Sequence, residues 1–281
     1  FNIRVHPRPS VVQYYFSIMT SNDAYLTFLG TGTSVGVPVI GCICEVCKSS
    51  DPHNNRTRAS LFINTPEVKI LIDSGPDLRE QALRENITSI DAVLYTHSHL
   101  DHVVGFDELR AFCWEKKDPL PLYASELCLN VLINMFSWAF QTDNTNSGYI
   151  KPDPRPITKA FTLGDLTINP IPVIHGTVDT HGYRFDTQDG FSFAYLPDVK
   201  IIPEESMELL VNLDLLIIDS LRTAPHSTHL SLSEALAIAE TLAPKRTVLT
   251  HISHELDHAT LVASLTKNIS PAYDGLSITL A

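Results

Sequence analysis

No run of eighteen apolar residues occurs in the 281-residue chain, so no membrane-spanning helix is expected. Basic residues are in short supply: 20 Lys and Arg stand against 32 Asp and Glu, a formal charge of −12. That balance argues against the broad basic face that sequence-independent nucleic-acid binding needs. A small anionic substrate stays compatible with it, because bound metal ions reverse the local sign. Charged residues make up only 19% and hydrophobic residues 44%, a mixture suited to a large core and unlike that of a disordered chain. Repeats, low-complexity tracts and a linker between independent domains are lacking as well. The length fits one large α/β domain or two modest ones. Cysteine is scarce and unevenly placed: of five, Cys42, Cys44 and Cys47 lie together, while Cys113 and Cys128 stand alone in apolar helical surroundings. This is metal spacing and not a disulfide framework, and it points to a reducing compartment, the cytoplasm. Cys113 and Cys128 read as small buried hydrophobes.

Histidine, by contrast, is abundant, with twelve copies that fall mostly in motifs. The densest stretch is residues 94–105, LYTHSHLDHVVG, where His97, His99, Asp101 and His102 set four metal-ligand side chains within six residues. The apolar residues 92–95 leading into it have strand composition. The ligands therefore sit on a loop opened at the carboxyl end of a buried strand. His97 and His99 alternate, so in an extended segment both imidazoles point to one side. Asp101 and His102 follow after a turn and can face a second ion. Neutral imidazole and carboxylate suit zinc, manganese or iron. Upstream, Cys42, Cys44 and Cys47 form a Cys-Xaa-Cys-Xaa-Xaa-Cys knuckle, three-quarters of a tetrahedral zinc site. The fourth ligand must come from elsewhere, and spacing alone leaves both His254 and His258 available in the stretch LTHISHELDH.

His-Xaa-His-Xaa-Asp-His after a hydrophobic strand resembles the signature of the metallo-β-lactamase superfamily of binuclear hydrolases. His175, Asp198 and His251 follow in order at the ends of predicted strands, and with the cysteine knuckle the chain resembles the PhnP-type cyclic phosphodiesterases from about residue 25 onward. The resemblance implies an α/β (α+β) fold, the αββα sandwich of two mixed β-sheets flanked by helices. It implies two catalytic divalent ions, manganese or zinc with iron as a further option. His97, His99 and His175 would bind the first, Asp101, His102 and His251 the second, and Asp198 would bridge them. A structural zinc on Cys42, Cys44, Cys47 and His254 is implied too, and Asp73 would orient the metal loop. The implied reaction is hydrolysis of a small anionic phosphodiester, a cyclic sugar or nucleotide phosphate, by hydroxide activated at the ions. His229, 22 residues before His251, would serve beside Asp101 in catalysis by protonating the leaving alkoxide. His226 is the nearby alternative, since its His-Ser-Thr resembles a motif of tRNase Z, and Lys200 and Arg222 could add substrate contacts. A tRNase Z-like nuclease, a PqqB-like protein and a non-catalytic metal scaffold are the competing readings. No long basic arm that could hold transfer RNA is evident, and a homodimer is a family expectation.

Residues 1–22 read as an N-terminal extension or leader ahead of a hydrolase domain at 23–281. Predicted strands cover 25–29, 60–64, 68–72, 120–124, 166–173, 182–185, 191–196, 215–219, 246–250 and 276–280. Helices are expected at 76–84, 105–114, 125–140, 231–242 and 260–267, with Ser231 and Glu234 at capping-box spacing. Residues 141–156, polar and rich in Asn and Pro, read as an inserted loop, a lid or substrate rim. The small residues 30–34 would let the backbone pass close to the metal site.

Overall fold

The structure, a computed structural model, describes residues 24–114, 116, 118–141, 146 and 148–281; the leader expected at 1–22 lies outside them. The strands run in chain order β1 (Tyr25–Gly30), β2 (Ser60–Asn64), β3 (Lys69–Ile72), β4 (Ala92–Leu94), β5 (Leu120–Ala124), β6 (Pro152–Pro156) and β7 (Phe161–Leu163). They continue as β8 (Leu166–His175), β9 (Val178–Thr187), β10 (Ser192–Leu196), β11 (Leu215–Asp219), β12 (Arg246–Thr250), β13 (Ile269–Pro271) and β14 (Ser277–Thr279). The helices are α1 (Leu78–Arg84), α2 (Leu100–Val103), α3 (Glu126–Met135), α4 (Glu204–Glu208), α5 (Leu232–Leu242) and α6 (His258–Ser264). Among the described residues these strands form two seven-stranded mixed sheets, ordered β14-β1-β2-β3-β4-β5-β6 and β13-β12-β11-β10-β9-β8-β7.

Period-two alternation gives each sheet two apolar faces, and each face is covered. Leu26, Phe28, Ile63, Ile70 and Leu94 of the first sheet meet Phe185, Phe193, Tyr195, Ile217 and Val248 of the second inside the sandwich. The opposite face of the first sheet, with Leu71, Val93 and Leu122, packs against Phe106, Leu109, Leu129 and Leu132. That of the second, with Ala194, Leu216 and Leu249, packs under Ala235, Ala239 and Leu261. Burying each large apolar side chain stabilises the fold by roughly 1.5–3 kcal/mol, so the αββα layering follows from the pattern itself.

Direction matters more for function. β3 through β6 run parallel, and so do β10 through β13, with a helix in each of the crossovers. The carboxyl ends of β3, β4, β10, β11 and β12 therefore open on one edge of the sandwich, where β8 also ends in His175.

Several expectations change in detail. Residues 104–112 form a 3₁₀ helix after the one-turn α2, in place of an α-helix over 105–114. α3 stops at Met135 and does not reach residue 140. The inserted loop ends in a strand, β6, on the sheet edge beside β5. Its three prolines alternate, and Ile157 N–H donates to the Ala124 carbonyl at 2.8 Å. By the same alternation the proline nitrogens face the open side, where no donor is needed. The capping box at α5 forms as expected, Ser231 and Glu234 bonding reciprocally.

Candidate metal centre

The site is assembled from strand ends. Asp73 follows β3 in a left-handed conformation, φ 62°, uncommon for a residue with a side chain. The conformation turns its carboxylate under the loop after β4. One oxygen accepts from Thr96 N–H at 2.8 Å; the other accepts from the Thr96 hydroxyl and from His102 Nδ1, each at 2.8 Å. Backbone bonds add Ser74 N–H to the His102 carbonyl (2.8 Å) and Gly105 N–H to the Ser74 carbonyl (2.9 Å). Glycine is required where these segments touch: a Cβ on Gly75 would lie 2.2 Å from the Asp101 carbonyl oxygen.

On this bed the sequence motif splits as its alternation implied. His97 and His99 lie on the extended segment, and α2 begins after His99, carrying Asp101 and His102 in its single turn. His97 Nε2 is 2.8 Å from His99 Nδ1, which is 3.3 Å from His175 Nε2. His102 Nε2 lies 3.3 Å from Asp101 Oδ2 and 3.2 Å from Asp198 Oδ2. His251 Nε2 lies 3.3 Å from Asp198 Oδ1, with His175 Nε2 at 3.8 Å from the same oxygen. Among the described residues donor atoms come within 4.8 Å of one another in several groups, among them His97, His99 and His175; Asp101, His102 and His251; His97, His102 and Asp198; and His175, Asp198 and His229. Asp198 thus stands between the two triads.

The donor chemistry fits divalent ions. Burial first, with neighbouring imidazoles adding to it, depresses His97 and His175 and holds His251 down at about 4, which favours the lone pairs that a cation takes. Burial would raise Asp198, yet the surrounding His251, His102 and His97 hold it well below the carboxylate range. Burial would lower His102, but Asp198, Asp73 and Asp101 keep it well above the usual range. His102 Nε2, His251 Nε2 and Asp198 Oδ2 are all buried and find no hydrogen-bond partner, the arrangement a cation between them would satisfy.

Beside the triads lies His229, its ring stacked on His251 at 4.7 Å and edge-on to His175 at 4.6 Å. Its Nδ1 donates to Asp219 at 2.8 Å, and burial pushes the Asp219 carboxyl up to about 7 even against that bond. Asp219 was missed in the sequence, although an apolar strand ending in a buried acid repeats the pattern of Asp73. His226 lies 5.2 Å from His229 by ring centroids. Lys200 is engaged by Glu234 at 2.7 Å, and Arg222 by the Ala224 and Pro225 carbonyls and by Glu255.

A second cluster forms where the cysteine loop meets the loop after β12. Cys42, Cys44 and Cys47 Sγ lie 3.3, 3.4 and 3.5 Å from His254 Nδ1, the separations expected around a shared tetrahedral ion. Backbone N–H groups of Val39 and Cys47 donate to Cys47 Sγ and Cys44 Sγ. His258 is turned away, bonded to Arg56 at 3.3 Å and stacked on His53.

Comparison with known proteins agrees with this geometry. A family model described as the beta-lactamase superfamily domain matches residues 68–252. A crystal structure described as a new diphosphatase from the PhnP family is 43% identical, with a TM-score of 0.84, covering 91% of this chain and 96% of that one. An octanoyltransferase of Porphyromonas gingivalis is 38% identical over 257 residues, 88% of this chain but only 50% of that protein, so the chain spans half the length of this curated relative. Zinc-bound PqqB from Methylobacterium extorquens shares the fold at 20% identity and a TM-score of 0.72, covering 90% of this chain and 99% of that one.

Proposed function

Because the chain belongs to the metallo-β-lactamase superfamily and is of the PhnP type within it, we propose that it is a binuclear metal-dependent phosphodiesterase acting on a small diester, a cyclic sugar or nucleotide phosphate. One observation carries this reading: the buried Asp198 lies within 4.8 Å of donors from each of two triads, His97 of one and His102 of the other, with His229 stacked on His251 beside them. His97, His99 and His175 would hold one ion, Asp101, His102 and His251 the other, and Asp198 both; manganese and zinc suit these donors, and iron is a further option. Such ions, when bound, stabilise anionic phosphoryl oxygens and make water nucleophilic near neutral pH.

The chain's own groups set the geometry. Asp73 fixes the His102 ring and the backbone of Thr96, so the loop presents its donors without rearrangement. His229, committed at Nδ1 to Asp219, keeps Nε2 for a substrate oxygen and is the group that gives a proton to the leaving alkoxide. His226 stands behind it as the alternative. Lys200 and Arg222 are tied to Glu234 and to loop carbonyls, so their contribution to substrate contact is secondary to shaping the rim. Cys42, Cys44, Cys47 and His254 would hold a structural zinc beside the catalytic centre, and thiols kept for such a role call for a reducing compartment such as the cytoplasm. The PhnP-family relative, a diphosphatase by its description, supports chemistry at phosphorus on a small substrate. The acyl-transfer name of the Porphyromonas gingivalis protein is not carried over, since that protein is twice as long as the region matched.

The test is turnover of bis-p-nitrophenyl phosphate with added manganese. The reading expects clear hydrolysis; a metal scaffold or a PqqB-like protein would give little.

A further inference from the structure

Each metal-ligating imidazole needs an acceptor on its outward nitrogen to fix tautomer and orientation. His97 Nδ1 has the Thr96 hydroxyl at 3.0 Å, His102 Nδ1 has Asp73 at 2.8 Å, and His175 Nδ1 has the Thr228 carbonyl at 2.8 Å. Among the buried imidazoles His251 breaks the pattern: its Nδ1 is without a hydrogen-bond partner. A carboxylate oxygen 3.9 Å away, Asp219 Oδ1, is buried and without a partner too. The other oxygen of Asp219 is crowded, accepting from His229 Nδ1 (2.8 Å), Val199 N–H (3.1 Å) and Leu230 N–H (3.3 Å). A carboxylate has about four acceptor positions across its two oxygens, so Oδ1 has room for one more donor.

The backbone favours that donor. Asp219 and Thr250 are register partners across β11 and β12, which places the carboxylate beside the residue that precedes His251. His251 has φ 55°, a conformation that persists in a non-glycine residue only where its surroundings hold it. Bonds from Ser220 N–H to the Thr250 carbonyl and from Ile252 N–H to the Thr31 carbonyl, both 2.9 Å, pin the chain on either side. The His251 and His229 rings stack at 12°, and the Nδ1 atoms lie 3.9 and 2.8 Å from the two oxygens of the same carboxylate.

We propose that Asp219 is a shared clamp: Oδ1 accepts from His251 Nδ1 while Oδ2 accepts from His229 Nδ1. One carboxylate then orients both a ligand of the second ion and the histidine that faces the leaving group. Closing 3.9 Å to hydrogen-bond distance takes a movement of about 1 Å. Asp219 is a positioning residue, and the clamp rests on the reading of His251 as a ligand and His229 as proton donor.

The experiment uses zinc-loaded full-length protein and two measurements. In ¹H–¹⁵N spectra of the histidine rings, the clamp expects a downfield, exchange-protected Nδ1–H for His251 in the wild type. In a zinc titration, Asp219→Ala placed in a His229→Ala background weakens one of the two ions by about 10- to 100-fold, as loss of such partners does, and leaves the other unchanged. An unprotected His251 Nδ1–H in the wild type overturns the clamp, and so does unchanged zinc affinity for both ions in the double variant. The wild-type spectrum decides alone should that variant fail to fold. Phosphodiester turnover is measured separately, so absent hydrolysis with a protected His251 refutes the proposed activity and leaves the clamp standing.

Discussion

Gly75→Ala tests how tightly the fold holds the metal loop. Gly75 does not have a positive φ, so alanine can adopt its backbone, and the effect must come from contact alone. The added methyl would sit 2.2 Å from the Asp101 carbonyl oxygen, and real Cβ contacts essentially never fall below 3.0 Å. The segments must part by about 0.8 Å, in a region packed at interior density. Neither side can give freely. Ser74 N–H holds the His102 carbonyl and Gly105 N–H holds the Ser74 carbonyl, while a Cβ on Gly105 would itself be 2.0 Å from the Gly75 carbonyl. The strain therefore passes to α2, which carries Asp101 and His102. Overpacking of this kind costs about 1–3 kcal/mol, and a misplacement near 1 Å costs on the order of 100-fold in rate. The expected result is a turnover of bis-p-nitrophenyl phosphate lowered about 100-fold, with a melting temperature several degrees below wild type. Gly190→Ala serves as control: its φ is +89° and nothing lies within 4 Å of the new methyl, so it costs about 1–3 kcal/mol of backbone strain and keeps turnover. Gly75→Ala with activity and bound metal within about twofold of wild type would refute the argument from close approach.

Other consequences are as direct. Asp101→Ala or His102→Ala abolishes hydrolysis while the circular dichroism stays native, because both side chains lie outside the three apolar clusters, although His102→Ala also takes from the buried Asp73 its imidazole partner and lowers the melting temperature; full activity in either would undo the ligand assignment. His254→Ala or Cys44→Ser loses one zinc equivalent by elemental analysis and lowers turnover less than Asp101→Ala does, since Ile252 and Ser253 N–H still bond the Thr31 and Leu221 carbonyls. Unchanged zinc content would remove the knuckle from the account. Burial, with Arg56 and His53 nearby, holds His258 down at about 4, so the folded protein favours its neutral form. Its contribution to stability is full above the unfolded value near 6.5, falls as pH drops from there toward 4, and is flat below. Denaturant unfolding should therefore show the gap between wild type and His258→Gln narrowing across that window; a constant gap contradicts it.

The parts of the molecule legible in the sequence are those where local chemistry and tertiary need coincide. Ser231 and Glu234 announce α5 because the capping box satisfies backbone donors without outside help. The donors at 97–102 announce themselves by density, and His175, Asp198 and His251 by their place after apolar strands. Where tertiary context decides, the sequence was silent or misleading. Pro152–Pro156 has loop composition and becomes a strand because an edge needs donors on one side only. Residues 104–112 wind as a 3₁₀ helix where Gly105 abuts Gly75. The choice between His254 and His258 turned on which ring faces the sulfurs, which spacing cannot express. Asp219 went unnoticed because its partners, His229 and His251, are 10 and 32 residues away in the sequence.

Anomalous diffraction from crystals of the manganese- and zinc-reconstituted protein tests whether two ions share Asp198. Two peaks are expected at the strand-end rim, one among His97, His99 and His175 and one among Asp101, His102 and His251, with Asp198 within bonding distance of both. A third peak is predicted at the zinc edge among Cys42, Cys44, Cys47 and His254. A single rim peak, or Asp198 beyond about 2.5 Å from either ion, would contradict it.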